Sequence, residues 1–402
     1  MFLSDIALLF LYLGIAHLTS LLLEKLRLPP VIAYMITGLA LKLIELPAPL
    51  ETWEDIAVFS LIFIGLHAGL SLNISRGELR RISIIAVLNT SLSMAVVLTS
   101  VFPFLGDPVK AVVVSVLLAN TATEGVVALS KYVKYGTDLE TALRISVGDD
   151  LMVLLLATAI LAPLGGLHLP SLTMSLVSIA LGAVILALVL RRELSTETLN
   201  VVTMTLLFTV VGLSVDSVGP LLGGYLIGTV LGLARSSGDP LLRIASHVET
   251  VADSLETVNN LIVMPLVFTY IGYTITPVLV DPVLTLTGLA GALIGKAVVV
   301  IALSEINMIS AFSKTEVLSL ITVRGTLESA IALTALKLGI LGDREFSSLI
   351  ATALLTYPVA VSILTLSKIN HSKTPLINPP RRGKPSPTTY YLEETLFVGF
   401  LR

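Results

Sequence analysis

TALRISVGDDLMVLLLATAILA, residues 141–162, is an apolar run long enough to cross a bilayer, and it carries two adjacent aspartates, Asp149 and Asp150, near its middle. Counted from residue 141 at about 1.5 Å per residue, the pair lies about 12–13 Å into a hydrocarbon core about 30 Å thick. Neither side chain can snorkel to water from there. A charge at that depth costs about 2.5–3.5 kcal/mol on insertion scales, so such residues usually mark an ion or proton path. Neighbouring helix positions point about 100° apart. The two acids therefore divide their labour, one toward an ion cavity and the other toward a neighbouring helix.

The rest of the chain fits a membrane setting. Of 402 residues, 55% are apolar and only 13% charged, with a mean hydropathy of +0.95, whereas soluble domains carry about a quarter charged residues. A large soluble catalytic domain is excluded. A net charge of −3 offers no basic field for nucleic acid, and the absence of cysteine removes disulfides, thiolate metal sites and cysteine nucleophiles. The opening MFLSDIALLFLYLGIAHL has no basic segment and no cleavage site, so it reads as a first span and not a removable signal.

Apolar runs predict thirteen helical spans, near 4–24, 29–46, 53–72, 82–105, 108–130, 141–162, 171–190, 197–214, 219–233, 248–273, 283–304, 315–338 and 346–368. The fold class is an all-α polytopic membrane protein. Lys and Arg fall mostly in the loops on one side, leaving Lys42, Lys110, Lys337 and Arg344 on the other and Lys296 and Arg324 within spans. The positive-inside rule then places the N-terminus outside and the C-terminus in the cytoplasm.

Thirteen spans divide into six, a linker and six, which inverts the second half relative to the first. Span 5 has a polar interruption, Asn120-Thr121-Ala122-Thr123-Glu124-Gly125, and its counterpart span 12 has Thr322-Val323-Arg324-Gly325-Thr326-Leu327-Glu328. Matching polar breaks in two halves point to a transport site built from broken, crossing helices. A break near Gly125 would free carbonyls which, with the Thr121 and Thr123 hydroxyls, suit a hard cation such as Na⁺; hydroxyl bonding within the helix is the competing reading. Lys296 is the obvious cationic partner for one aspartate, unless the three charges form only a static network. Glu124, Arg324 and Glu328 serve charge compensation at the helix ends, although Arg324 and Glu328 would also pair at i, i+4 on an unbroken helix. His67 suits either pH sensing or packing, and Asp253, Glu256, Asn259 and Asn260 form either an entry funnel or an interfacial helix start.

These pieces resemble the monovalent cation/proton antiporter superfamily, in the sodium/proton branch related to Kef-type exchangers. The resemblance rests on LRLPPVIAYMITGLAL (26–41), FSLIFIGLHAGL (59–70) followed by Arg80-Arg81, NTATEG (120–125), SVGDD (146–150), GGYLIG (223–228), GALIGKAVV (291–299) and TVRGTLES (322–329), in that order. It implies a homodimer in which residues 1–370 form the transporter. Scaffold spans would lie within 1–81 and 197–273, a linker span at 171–190, and a core within 82–162 and 283–368 that moves as an elevator; residues 371–402 would be a short cytoplasmic tail. It also implies Asp150 as the carboxylate binding Na⁺ or a proton, with Asp149 its partner and Lys296 the lysine paired to Asp149; Thr121 joins Asp150 as a Na⁺ ligand on the reading of the polar break alone. An Asp-Asp pair with a lysine is similar to electrogenic members exchanging two protons for one Na⁺. The expected activity is thus Na⁺/H⁺ antiport in the plasma membrane, with Li⁺ as a further cation, no cofactor, no enzymatic reaction and no nucleic-acid partner. K⁺/H⁺ antiport of the Kef type is the alternative. This chain departs from the family at His67, Thr326 and Glu124.

Overall fold

The computed structural model describes residues 5–24, 28–46, 50–70, 79–130, 132–133, 139–164, 195–214, 219–236, 253–309 and 314–372, with isolated positions between 177 and 188. These residues are helical, with no strand among them. The helices are α1 (Asp5–Glu24), α2 (Pro30–Leu43), α3 (Leu50–Leu70), α4 (Leu79–Leu105), α5 (Pro108–Ala119), α6 (Thr123–Ser130), α7 (Leu139–Leu164), α8 (Thr196–Ser214), α9 (Gly219–Ser236), α10 (Met264–Thr274), α11 (Pro282–Glu305), α12 (Lys314–Thr322), α13 (Thr326–Lys337) and α14 (Asp343–Ser372). Among the described residues, eight stretches are long and apolar enough to cross a membrane, each broken pair counting as one.

Twelve of the thirteen expected spans coincide with helices, and the last runs on to Ser372. The linker span 171–190 and the tail beyond 372 lie outside the described residues, apart from the isolated positions. Contacts divide the chain after Leu364; of the second unit, the described part consists of helical turns ending at Ser372.

Local chemistry sets the helix starts. Asp107 and Asp281 each precede a proline at the first helical position, and each carboxylate accepts two backbone N–H groups of the first turn. The Arg344 guanidinium also holds Asp281, keeping its carboxyl below the usual range. Before α10, residues 253–258 are helical and Asn259–Val263 form a π-turn. Its cause is Pro265, which has no N–H to give Leu261 O. His17 Nε2 donates to that carbonyl instead, at 2.8 Å.

The strongest packing pairs are α3 with α9, α2 with α10, and α4 with α11. Under an inverted repeat the first two pairs exchange and the third maps onto itself. Small residues permit the approach: Gly65 and Gly69 press on the backbone of α9, while Gly224 and Gly228 press back on α3. Gly38 and Gly272 do the same between α2 and α10, and Gly291 and Gly295 meet α4 at Ser100 and Ser93. By packing, the helices sort into two bundles, one of α1–α3 with α8–α10 and one of α4–α7 with α11–α13 and the start of α14. Among the described residues, thin contacts of α13 and α7 with α3, α9 and α10 join them, together with a hydrogen bond from the Thr276 N–H, just after α10, to Ser347 Oγ of α14.

The four basic residues expected on the same face gather at one end. Lys337 meets Glu54 at 2.7 Å, Lys110 meets Glu345 at 3.0 Å, Arg344 meets Asp281, and Lys42 reaches Thr274 O and Thr276 Oγ1 at 3.3 and 3.1 Å.

Candidate functional site

Two helices break where they cross. α5 ends at Ala119 and α6 begins at Thr123, while α12 ends at Thr322 and α13 begins at Thr326. The extended segments meet, Ala122 N donating to Val323 O at 3.1 Å. The first break falls on Asn120–Ala122, not near Gly125 as expected. Asn120 turns to extended backbone (φ −59°, ψ 163°) and ends α5; Gly125 lies inside α6, where a side chain would strike Val323 and the Tyr357 hydroxyl.

The crossing gathers four helix ends, and each finds an opposite charge. Arg324 donates to Leu118 O at the end of α5 (2.6 and 3.0 Å) and to Ile321, Thr322 and Val323 O at the end of α12 (3.3, 2.8 and 3.2 Å). One guanidinium thus covers the carbonyl ends of both half-helices, each of which carries about half a negative charge. Both carboxylate contacts fall at the amide end of α13, where Glu328 accepts the Gly325 N–H and Glu124, from the first turn of α6, accepts the Thr326 N–H. The i, i+4 pairing of Arg324 with Glu328 is not formed, because the chain breaks between them and the guanidinium is spent on carbonyls.

The aspartates of α7 lie against this crossing and do divide their labour. Asp149 is fully buried and accepts from four donors: Lys296 Nζ at 2.7 Å, Thr121 Oγ1 at 2.7 Å, Thr90 Oγ1 at 2.9 Å and Asn89 Nδ2. A carboxylate has about four acceptor positions, so Asp149 is saturated. Lys296, also fully buried, gives a second hydrogen bond to Asn89 Oδ1 at 3.1 Å. Asp150 accepts only Asn120 Nδ2 at 3.1 Å and Thr123 Oγ1 at 2.8 Å. Both donors are neutral, and about half of its acceptor capacity is open. Asp150 is 7% exposed and Asp149 not at all.

Thr121 and Thr123 therefore serve different acids. Thr121 lies with Asp149, and Thr123 lies with Asp150. Asn120 bridges further, its Nδ2 also donating to Glu328 Oε2 at 2.9 Å while its Oδ1, fully buried, meets no donor. Asn89, Thr90 and Asn120 were not expected as site residues. Asn89 offered one signal, the single amide in a span whose other polar groups are hydroxyls, Thr90 among them, and Asn120 another, its place directly before the Thr-Ala-Thr run. His67 is half-buried on α3, and of the polar stripe before α10 only Asn259 is buried, with neither end of its amide partnered.

The chain is similar to known proteins in family and in fold. Residues 12–366 match the family model described as sodium/hydrogen exchanger, transmembrane. No curated protein matches the chain. Two solved structures of the sodium proton antiporter MjNhaP1 from Methanocaldococcus jannaschii are similar in fold. The one at pH 8 has a TM-score of 0.66 at 18% identity and covers 90% of this chain and 98% of its own. The one from an electron-microscopy map has a TM-score of 0.62 at 15% identity, over 95% and 100%. The chain belongs to the sodium/hydrogen exchanger family of transmembrane proteins, and so is a multi-pass cation/proton antiporter and not an enzyme.

Proposed function

We propose that the chain exchanges protons for Na⁺, and for Li⁺, at Asp150, electrogenically and by an elevator movement of one bundle against the other. The observation that carries this reading is the inequality of two adjacent acids. Asp149 is neutralised by Lys296 and saturated by neutral donors, whereas Asp150 has open acceptor positions and no cation. An empty, ionised Asp150 crossing an apolar barrier would carry a bare charge through low dielectric, which is costly. Loading Na⁺ or a proton relieves that cost, so only loaded carriers move and exchange is strict. Asp150, Thr123 and the free Asn120 Oδ1 supply oxygen ligands of the kind a hard cation prefers, and Thr121 acts through Asp149. The elevator draws support from the thin contacts between bundles that are each tightly packed within. A homodimer in the plasma membrane, N-terminus outside, completes the reading.

In proteoliposomes followed with a pH dye, Na⁺ should drive proton movement that responds to a clamped voltage, and Asp150→Asn should abolish it. Undiminished exchange by that variant would take Asp150 out of the site. Larger responses to K⁺ than to Na⁺ would favour the Kef-type alternative.

A further inference from the structure

Where the bundle of α1–α3 and α8–α10 meets the aspartates, it presents a polar group that nothing satisfies. Tyr225 of α9 is fully buried, and its hydroxyl meets no hydrogen-bond partner. A buried hydroxyl in that condition is costly and calls for a reason. Its stem is fixed, because Gly65 and Gly69 of α3 lie against the Tyr225 nitrogen and carbonyl. Thr229, one turn further along α9, gives its own hydroxyl to the Tyr225 carbonyl at 2.8 Å.

α9 touches α7, and the charge of Asp150 acts on the Tyr225 hydroxyl, although no hydrogen bond joins the two. Asp150 is the acid with about half of its acceptor capacity open. Asn120, which donates to Asp150, has a buried Oδ1 that meets no donor. Three oxygen-bearing groups are therefore short of a partner at one place, two of them in one bundle and the third across the seam. Acceptors cannot satisfy one another, but a cation satisfies them together.

We propose that Tyr225 is a Na⁺ ligand supplied from the opposite bundle, closing with Asp150, Thr123 and Asn120 a site that spans the seam. This rests on exchange at Asp150 and deepens that reading. Na⁺ beside Asp150 takes the open carboxylate positions and finds further oxygens in Asn120 Oδ1 and Tyr225 Oη, hard neutral ligands of the kind it prefers. The hydroxyl adds no charge, so one cation against one carboxylate still leaves the loaded site neutral. With a proton in place of Na⁺, Asp150 has an O–H to donate and Tyr225 Oη can accept it. A ligand on the second bundle also bears on transport. An elevator carries Asp150, Asn120 and Thr123 together and leaves Tyr225 behind, so the full ligand set exists at one end of the travel and Na⁺ is held less tightly at the other.

The test is Tyr225→Phe in the full-length protein, reconstituted in proteoliposomes and followed with a pH dye through a Na⁺ titration. Half-saturating Na⁺ should rise about three- to tenfold, as expected for the loss of one neutral contact, with the maximal rate kept. Unchanged half-saturation, or a fall in maximal rate alone, would overturn the assignment and leave exchange at Asp150 intact. No Na⁺-driven proton movement by the unmodified chain would take down both. If Tyr225→Phe does not fold, a ring-fluorinated tyrosine placed at 225 keeps the hydroxyl, and its fluorine resonance decides. A shift on adding Na⁺ that disappears in an Asp150→Asn background supports the ligand; no shift, or the same shift in both backgrounds, overturns it.

Discussion

Asp149 and Lys296 meet where no water reaches either, so removing one partner strands the other. Lys296→Met should cost about 3–5 kcal/mol, read as a lower melting temperature in detergent. The double variant Asp149→Asn with Lys296→Met should recover much of that loss, since it removes both charges. A double variant as unstable as the sum of the singles would deny that the pair is coupled. Asp149, Asp150 and Lys296 were legible in the sequence because an ionic group inside an apolar run is rare and has few explanations. Asn89 and Thr90 were not, because neutral polar side chains are common on spanning helices and usually satisfy themselves on the preceding turn. Only tertiary packing brings Asn89 and Thr90, 60 and 59 residues away along the chain, to one carboxylate oxygen.

Among helices, backbone-to-backbone seams do the holding, since lipid offers apolar side chains no reason to leave it. Gly224→Ala would drive a methyl group into the Ile62 carbonyl of α3, and we expect a loss of about 1–3 kcal/mol, the usual cost of overpacking. A thermal melt checks this, with Gly14→Ala as the control, because Gly14 faces open space. Span positions were readable from hydropathy, and both breaks from their polar residues. The exact turning point in the first was not: glycine marked it in the sequence, yet Gly125 is there to admit Val323 and Tyr357, and the chain turns at Asn120. Which helix lies on which depends on these three-dimensional approaches, and hydropathy carries no record of them.

Across the whole molecule, Lys337 of α13 and Glu54 of α3 form one of the few links between the bundles. As a partly exposed pair it contributes at most about 1 kcal/mol, which suits a contact that must open and close. The chain has no cysteine, so a pair introduced at these two positions can be joined cleanly. Joining Glu54→Cys to Lys337→Cys with a short bifunctional thiol reagent should stop Na⁺-driven proton movement in proteoliposomes, while either single variant treated alike continues. Full activity of the joined protein would mean that the bundles do not slide along this seam.

Buried carboxylates can trade protons near neutral pH, but a guanidinium keeps its own over the same range. Arg324 ties down the carbonyl ends of two half-helices from opposite halves of the sequence. The carbonyl side of the crossing is consequently indifferent to acidity, and it keeps its shape whatever charge the acids beside it carry.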